Sequence, residues 1–108
     1  MGYHGVNLFY MSVAKLVRDR IPEIMRAKGE SPTTHVANDA EYGLRLKNKL
    51  VEEAGEYFRD ESEMELVDIL EVIDAICAFR SITIDHVREL QRKKAEERGG
   101  FAGRIVLE

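Results

Sequence analysis

Glu53 and Glu56 are three residues apart, and so are Glu65 and Asp68, with Glu52 directly before the first couple. On a helix, residues three apart share a face, so each couple projects together. Carboxylates crowded into one partly buried spot raise one another's pKa, and loss of water adds to the effect. A hard divalent cation relieves that conflict. Magnesium takes oxygen ligands, keeps several waters and is commonly completed by the phosphates of a substrate. There it neutralises charge and can activate an attacking water. The plain alternative is a solvated face. A single ExxE on a helix is usually that, and Glu65 can act simply as the partner of a Ser62 cap. Two couples on neighbouring helices weigh against the plain reading.

The couples meet only if the chain folds as antiparallel helices. A first helix is predicted from about Arg20 to Lys28, with Asp19 as cap, Pro22 in the first turn and Gly29 as stop. A second starts at Asn38, with Glu41 three residues on, and runs to about Arg59. A third runs from Ser62 to about Arg80, and a fourth from Thr83 to Arg98, where Gly99 and Gly100 end it. The short link between the second and third makes them antiparallel neighbours. Thr33 to Val36 favours β structure, and Arg104 to Leu107 reads as a short strand or extended arm that can pair with it. The expected fold class is therefore all-α, an antiparallel bundle of about four helices with a short strand pair near the termini.

Helical phase selects among the acids. Rotation by about 100° per residue gathers Leu66, Ile69, Leu70, Val72, Ile73, Ile76 and Cys77 into one arc. Glu65 falls inside that arc and Asp68 at its border. Glu71 falls opposite, and Asp74 off the other side. On the second helix the apolar side is Leu46, Leu50, Val51, Ala54, Tyr57 and Phe58, with Lys49, Glu53 and Glu56 along one flank. On the fourth, Lys94 and Arg98 share the side of Ile84, Val87 and Leu90, whereas Lys93 points away. Cations on a core-facing stripe call for an anionic partner. A salt bridge to the central acids, snorkelling stems and phosphate ligands all satisfy that.

The 108 residues suit one domain, with residues 1–13 as an N-terminal tail, residues 14–108 as the domain and Met11 as an alternative start. At this length folding buries about two-thirds of the unfolded chain's surface, so a monomer has a thin core and oligomers are expected. Hydrophobic residues make up 44% and charged residues 33%, ordinary for a soluble globular protein. The net charge of -4 argues against nucleic acid as the main partner. Acids concentrate between residues 44 and 74, and bases between 88 and 98. The lone Cys77 cannot form a disulfide within the chain and suits a reducing cytoplasm. No signal peptide and no membrane-spanning run is legible.

Glu52-Glu53-Ala-Gly-Glu56 followed by Glu65-Leu-Val-Asp68 resembles the hallmark EExxE and ExxD of the all-α nucleoside triphosphate pyrophosphohydrolases. That superfamily includes MazG and phosphoribosyl-ATP pyrophosphohydrolase. The stretch from Lys15 to Pro22, and those from Lys93 to Phe101 and Arg104 to Leu107, resemble the opening and ending of a MazG-like subfamily of house-cleaning pyrophosphatases. The resemblance covers about residues 14 to 107. It implies magnesium, with manganese as a substitute, held by Glu53, Glu56, Glu65 and Asp68. It implies Glu52 as the residue that positions or deprotonates water. Hydrolysis falls between the α and β phosphates of a nucleoside triphosphate, giving a nucleoside monophosphate and pyrophosphate. Members assemble as homodimers or homotetramers. Charge and position add Lys15, Arg18, Lys49, Lys94 and Arg98 as candidate phosphate contacts.

Two other readings compete. One is phosphoribosyl-ATP pyrophosphohydrolase of histidine synthesis, from which the two terminal segments point away. The other is a non-catalytic helical-bundle interaction protein whose acids pair with its own lysines and arginines. A di-iron bundle fails, because it requires Glu-x-x-His pairs and neither His35 nor His86 has a Glu three residues before it, while His4 follows Met1 at that spacing.

Overall fold

The computed structural model describes residues 14–108, so the tail expected over residues 1–13 lies outside the described residues. The described residues are all-α and form four helices: α1, Ile21–Ala27; α2, Asp39–Asp60; α3, Glu63–Phe79; and α4, Ile84–Arg98. They divide into two compact units, one ending at Ile76 and the other running from Cys77 to Glu108, so the boundary falls within α3. No described helix is long and apolar enough to cross a membrane.

Local chemistry sets the helix ends. Pro22 occupies the first turn of α1, where its missing N–H costs nothing. The cap position is Arg20, which makes no side-chain cap bond, so the cap expected from Asp19 does not form. Gly29 leaves the helix at φ +89°, a conformation that a side chain would strain. At α2, the Asn38 side chain accepts from the Glu41 backbone N–H at 2.9 Å. The Glu41 carboxylate does not return the bond; it accepts from Arg45 and meets the His35 ring instead. Ser62 accepts from Met64 N–H at 3.2 Å and Thr83 from His86 N–H at 3.1 Å, which start α3 and α4. Glu61 turns left-handed at φ 54° between α2 and α3. With only Glu61 and Ser62 between them, the two helices run back along each other.

Among the described residues there is no strand, which corrects the expected pairing of Thr33–Val36 with Arg104–Leu107. Val36 is 97% exposed, and Ile105, Val106 and Leu107 are exposed too. With no side chain covered, two such short segments gain too little to hold a ladder.

The core is thin. Leu46, Val72 and Cys77 are the buried hydrophobic residues among those described. The apolar arcs are wider than the chain covers. Val51, Tyr57 and Phe58 on α2, and Met64, Leu66, Val67 and Leu70 on α3, remain exposed. The buried residues of α2 are Leu46, from the expected apolar side, Glu53, from its flank, and Asn48, about 200° around the helix from Leu46.

Candidate functional site

The two acidic couples meet. Carboxylate oxygens of Glu53, Glu65 and Asp68 lie within 4.8 Å of one another, and so do those of Glu52, Glu53 and Glu56. Glu53 belongs to both groups and is 5% exposed. The antiparallel return of the chain after Glu61 produces this, because it sets the last turns of α2 beside the first turns of α3. Asp74 is exposed and joins neither group. Glu71 is exposed and pairs with Arg18 at 3.6 Å. Glu65 and Asp68 are thus set apart from Glu71 and Asp74 in the folded chain, as helical phase predicts.

Among the described residues, three cations touch the cluster. Lys49 Nζ lies 3.5 Å from Glu52 Oε1 and 3.4 Å from Glu53 Oε1, reaching forward along its own helix. Lys15 Nζ lies 3.2 Å from Glu52 Oε2. Arg18 donates to Asp68 Oδ1 at 2.8 Å. The segment that carries Lys15 and Arg18 is tied to α2 by Arg45, which donates to the Ala14 carbonyl at 3.1 Å. Five carboxylates, Glu52, Glu53, Glu56, Glu65 and Asp68, thus face three cations, Lys15, Arg18 and Lys49. The formal surplus is at least two negative charges.

That surplus shows in the titration of the acids. Burial pushes the Glu53 carboxyl above its ordinary range; Lys49 opposes the shift, and Glu56 and Asp68 add to it. Glu65 is raised as well, by loss of water first and then by Glu56, Asp60 and Asp68. Hydrogen bonding to Asp68 raises the pKa of Arg18, so its charge is secure. Glu53 Oε2 and Glu52 Oε1 are buried acceptors with no hydrogen-bond partner. An unpaired buried carboxylate oxygen is costly, and a cation at the cluster satisfies it. The donor set, oxygen only, is the one that magnesium, manganese or calcium takes.

A cavity of about 530 Å³ opens beside the cluster. Lys15, Arg18, Lys49, Glu53, Asp68 and Glu71 are among the residues that line it. Positive and negative groups therefore line the same cavity, an arrangement that can hold a polyanion through both its counter-ion and its oxygens.

No family model matches the chain, and no solved structure does. A protein of Mycolicibacterium smegmatis (strain ATCC 700084 / mc(2)155), described as uncharacterized, is 50% identical over 44 residues. The matched stretch is 41% of this chain and 45% of that protein, so the chain spans under half of its relative's length there.

Lys94 and Arg98 belong to the second unit. Every residue from 91 to 108 is exposed, so Lys93, Lys94 and Arg98 are alike in this respect. The expectation that this stripe faces a core is corrected: of Ile84, Val87 and Leu90, which defined it, only Val87 is half-buried, and Ile84 and Leu90 are 38% and 51% exposed. Sequence reasoning also missed Asn48, which is 5% exposed with its Nδ2 unpaired, and Tyr42, which lines the cavity. The spacing of Tyr42, Leu46, Lys49 and Glu53 at intervals of four, three and four was the available signal for Tyr42. No pattern flagged Asn48.

Proposed function

We propose that the chain hydrolyses a nucleoside triphosphate between its α and β phosphates, releasing a nucleoside monophosphate and pyrophosphate. One observation carries the reading. A buried carboxylate, Glu53, keeps an unpaired oxygen at the centre of an acidic cluster that opens on a cavity also lined by Lys15, Arg18 and Lys49. Glu53, Glu56, Glu65 and Asp68 would hold magnesium. Bound there, the ion supplies charge neutralisation of the phosphate chain and polarisation of its oxygens. Glu52, whose Oε1 has no hydrogen-bond partner and faces Lys49 at 3.5 Å, is the candidate to accept a proton from the attacking water. Lys15, Arg18 and Lys49 exchange carboxylate partners for phosphate oxygens as substrate arrives. The reducing cytoplasm, where triphosphates are abundant and Cys77 stays a thiol, is the proposed setting.

The proposal extends to a homo-oligomer. Val51 and Phe58 lie seven residues apart on α2, and Met64, Val67 and Leu70 lie on α3, all exposed. A chain that buries so few of its apolar residues gains most by covering that face with a second copy.

The test is a panel of nucleoside triphosphates with magnesium, phosphoribosyl-ATP included, read by pyrophosphate release. Release that is lost in Glu53→Gln supports the proposal. No release from any member, or release unchanged in Glu53→Gln, overturns it. A bundle whose acids serve only its own lysines and arginines gains no thermal stability from millimolar magnesium beyond the effect of ionic strength.

A further inference from the structure

Two buried polar atoms on α2 lack hydrogen-bond partners and complement each other. Asn48 is 5% exposed, and its Nδ2 donates to nothing. Glu52 Oε1, one turn further on, accepts no hydrogen bond. Such atoms are few in a folded chain, because each loses its water and gains no bond in return. The choice of residue adds to the cost. Alanine at position 48 would favour the helix more and bury no donor. Helix formation and burial therefore give no reason for an asparagine there.

Helix geometry limits what the amide can reach on α2. Residues three and four apart are neighbours on a helix surface. For Asn48 these are Leu44, Arg45, Val51 and Glu52. Leucine and valine side chains have no polar atom, and arginine only donates. Glu52 is the one side-chain acceptor of the four. Seen from Glu52, the neighbours are Asn48, Lys49, Gly55 and Glu56, of which Asn48 and Lys49 can donate. Lys49 is shared with Glu53 at 3.4 Å, and Lys15 holds Glu52 Oε2 at 3.2 Å. Both lysines line the cavity, where a polyanion competes for them, whereas Asn48 lies outside that lining. Resting on the triphosphate reading of the cavity, we infer that Asn48 is the positioning residue for Glu52. As phosphate oxygens draw Lys15 and Lys49 away, the Glu52 carboxylate loses both cations. It then turns back along its own helix and accepts from Asn48 Nδ2. One carboxylate oxygen is held by the helix, and the other is left to receive the proton of the attacking water. The substrate cannot draw this donor off, because it is not in the cavity wall.

Steady-state kinetics of the full chain at saturating magnesium test this, on the nucleoside triphosphate that releases pyrophosphate fastest. Asn48→Ala removes the donor. Asn48→Asp keeps the shape of the side chain and puts an acceptor in the donor's place. In Asn48→Ala, kcat should fall by about tenfold to a hundredfold, the scale of a lost hydrogen bond to a charged group. KM should stay within about threefold, because the bond forms after the substrate is bound. Asn48→Asp should be at least as slow. Magnesium affinity by calorimetry and the metal-free melting temperature of Asn48→Ala should stay near those of the natural chain, since the amide is unpaired until substrate arrives. Three results overturn the role: kcat unchanged in Asn48→Ala, Asn48→Asp as fast as the natural chain, or a loss of kcat in Asn48→Ala matched by a lower melting temperature, which marks a packing residue. If Asn48→Asp fails to fold by circular dichroism, Asn48→Ala still decides. A natural chain that splits no triphosphate overturns the proposed function and this role with it. A natural chain that splits one while Asn48→Ala keeps its kcat overturns this role alone.

Discussion

Arg18 and Asp68, fifty residues apart in the chain, meet at 2.8 Å, and the same guanidinium reaches Glu71 at 3.6 Å. The pair ties the segment before α1 to the acidic cluster, with Arg18 half exposed and Asp68 partly so. An exposed ion pair is worth about 1 kcal/mol or less. Arg18→Met should therefore leave the melting temperature nearly unchanged. Its kcat/KM on a triphosphate should fall by about 2–4 kcal/mol of transition-state stabilisation, the scale of a lost charged donor. Magnesium should bind the variant more tightly, since a competing cation has gone. Calorimetry of magnesium binding beside steady-state kinetics checks both. Unchanged kinetics would reduce Arg18 to a structural tie.

Replacing Glu53 or Glu65 by Gln, or Asp68 by Asn, should abolish magnesium-dependent turnover and leave the helical signal intact. The metal-free Glu53→Gln and Glu65→Gln variants should melt at or above the natural chain's temperature, because each substitution removes like-charge repulsion. Glu71→Gln should retain turnover, since Glu71 lies outside both carboxylate groups. A Glu71→Gln chain as inactive as Asp68→Asn would move the proposed metal site one turn along α3.

The raised carboxyls set a pH dependence. Burial first, then Glu56 and Asp68 against the opposing Lys49, lifts Glu53 above its ordinary 4.5. A carboxyl whose folded pKa is raised binds more protons folded than unfolded between the two values. Metal-free stability is therefore fully present below 4.5, falls as pH rises through the raised pKa, and stays low above it. Glu41, lowered chiefly by its bond to His35, acts in the opposite sense and is common to both chains compared. Thermal melts in EDTA should thus show the natural chain losing stability relative to Glu53→Gln as pH rises, with saturating magnesium closing the difference. A difference that widens toward low pH would contradict the assignment.

The exposed face of α2 and α3 predicts association. Phe58 is 85% exposed and Leu70 52% exposed. Phe58→Glu combined with Leu70→Glu should lower the mass found by sedimentation to that of one chain and reduce the melting temperature. Neither residue belongs to the carboxylate groups. A natural chain that already sediments as a monomer at micromolar concentration would remove the proposed second copy.

Much of this was legible in the residues themselves. Asn38, Ser62 and Thr83 start helices through their own side-chain oxygens, and Gly29 leaves α1 at positive φ; these are contacts across a few residues. The convergence of Glu53 with Glu65 and Asp68 was legible too, because a two-residue link leaves two helices little choice but to lie alongside. Tertiary structure decided the rest. Periodicity marks Val51 and Phe58 as apolar with the same weight as Leu46, yet only Leu46 is covered, since coverage depends on which element arrives opposite. The same dependence left Lys94 and Arg98 exposed and buried Asn48. Lys15 and Arg18 reach Glu52 and Asp68 across 37 and 50 residues of chain. No local pattern encodes such a meeting, because it depends on the path of the segment that Arg45 anchors at Ala14.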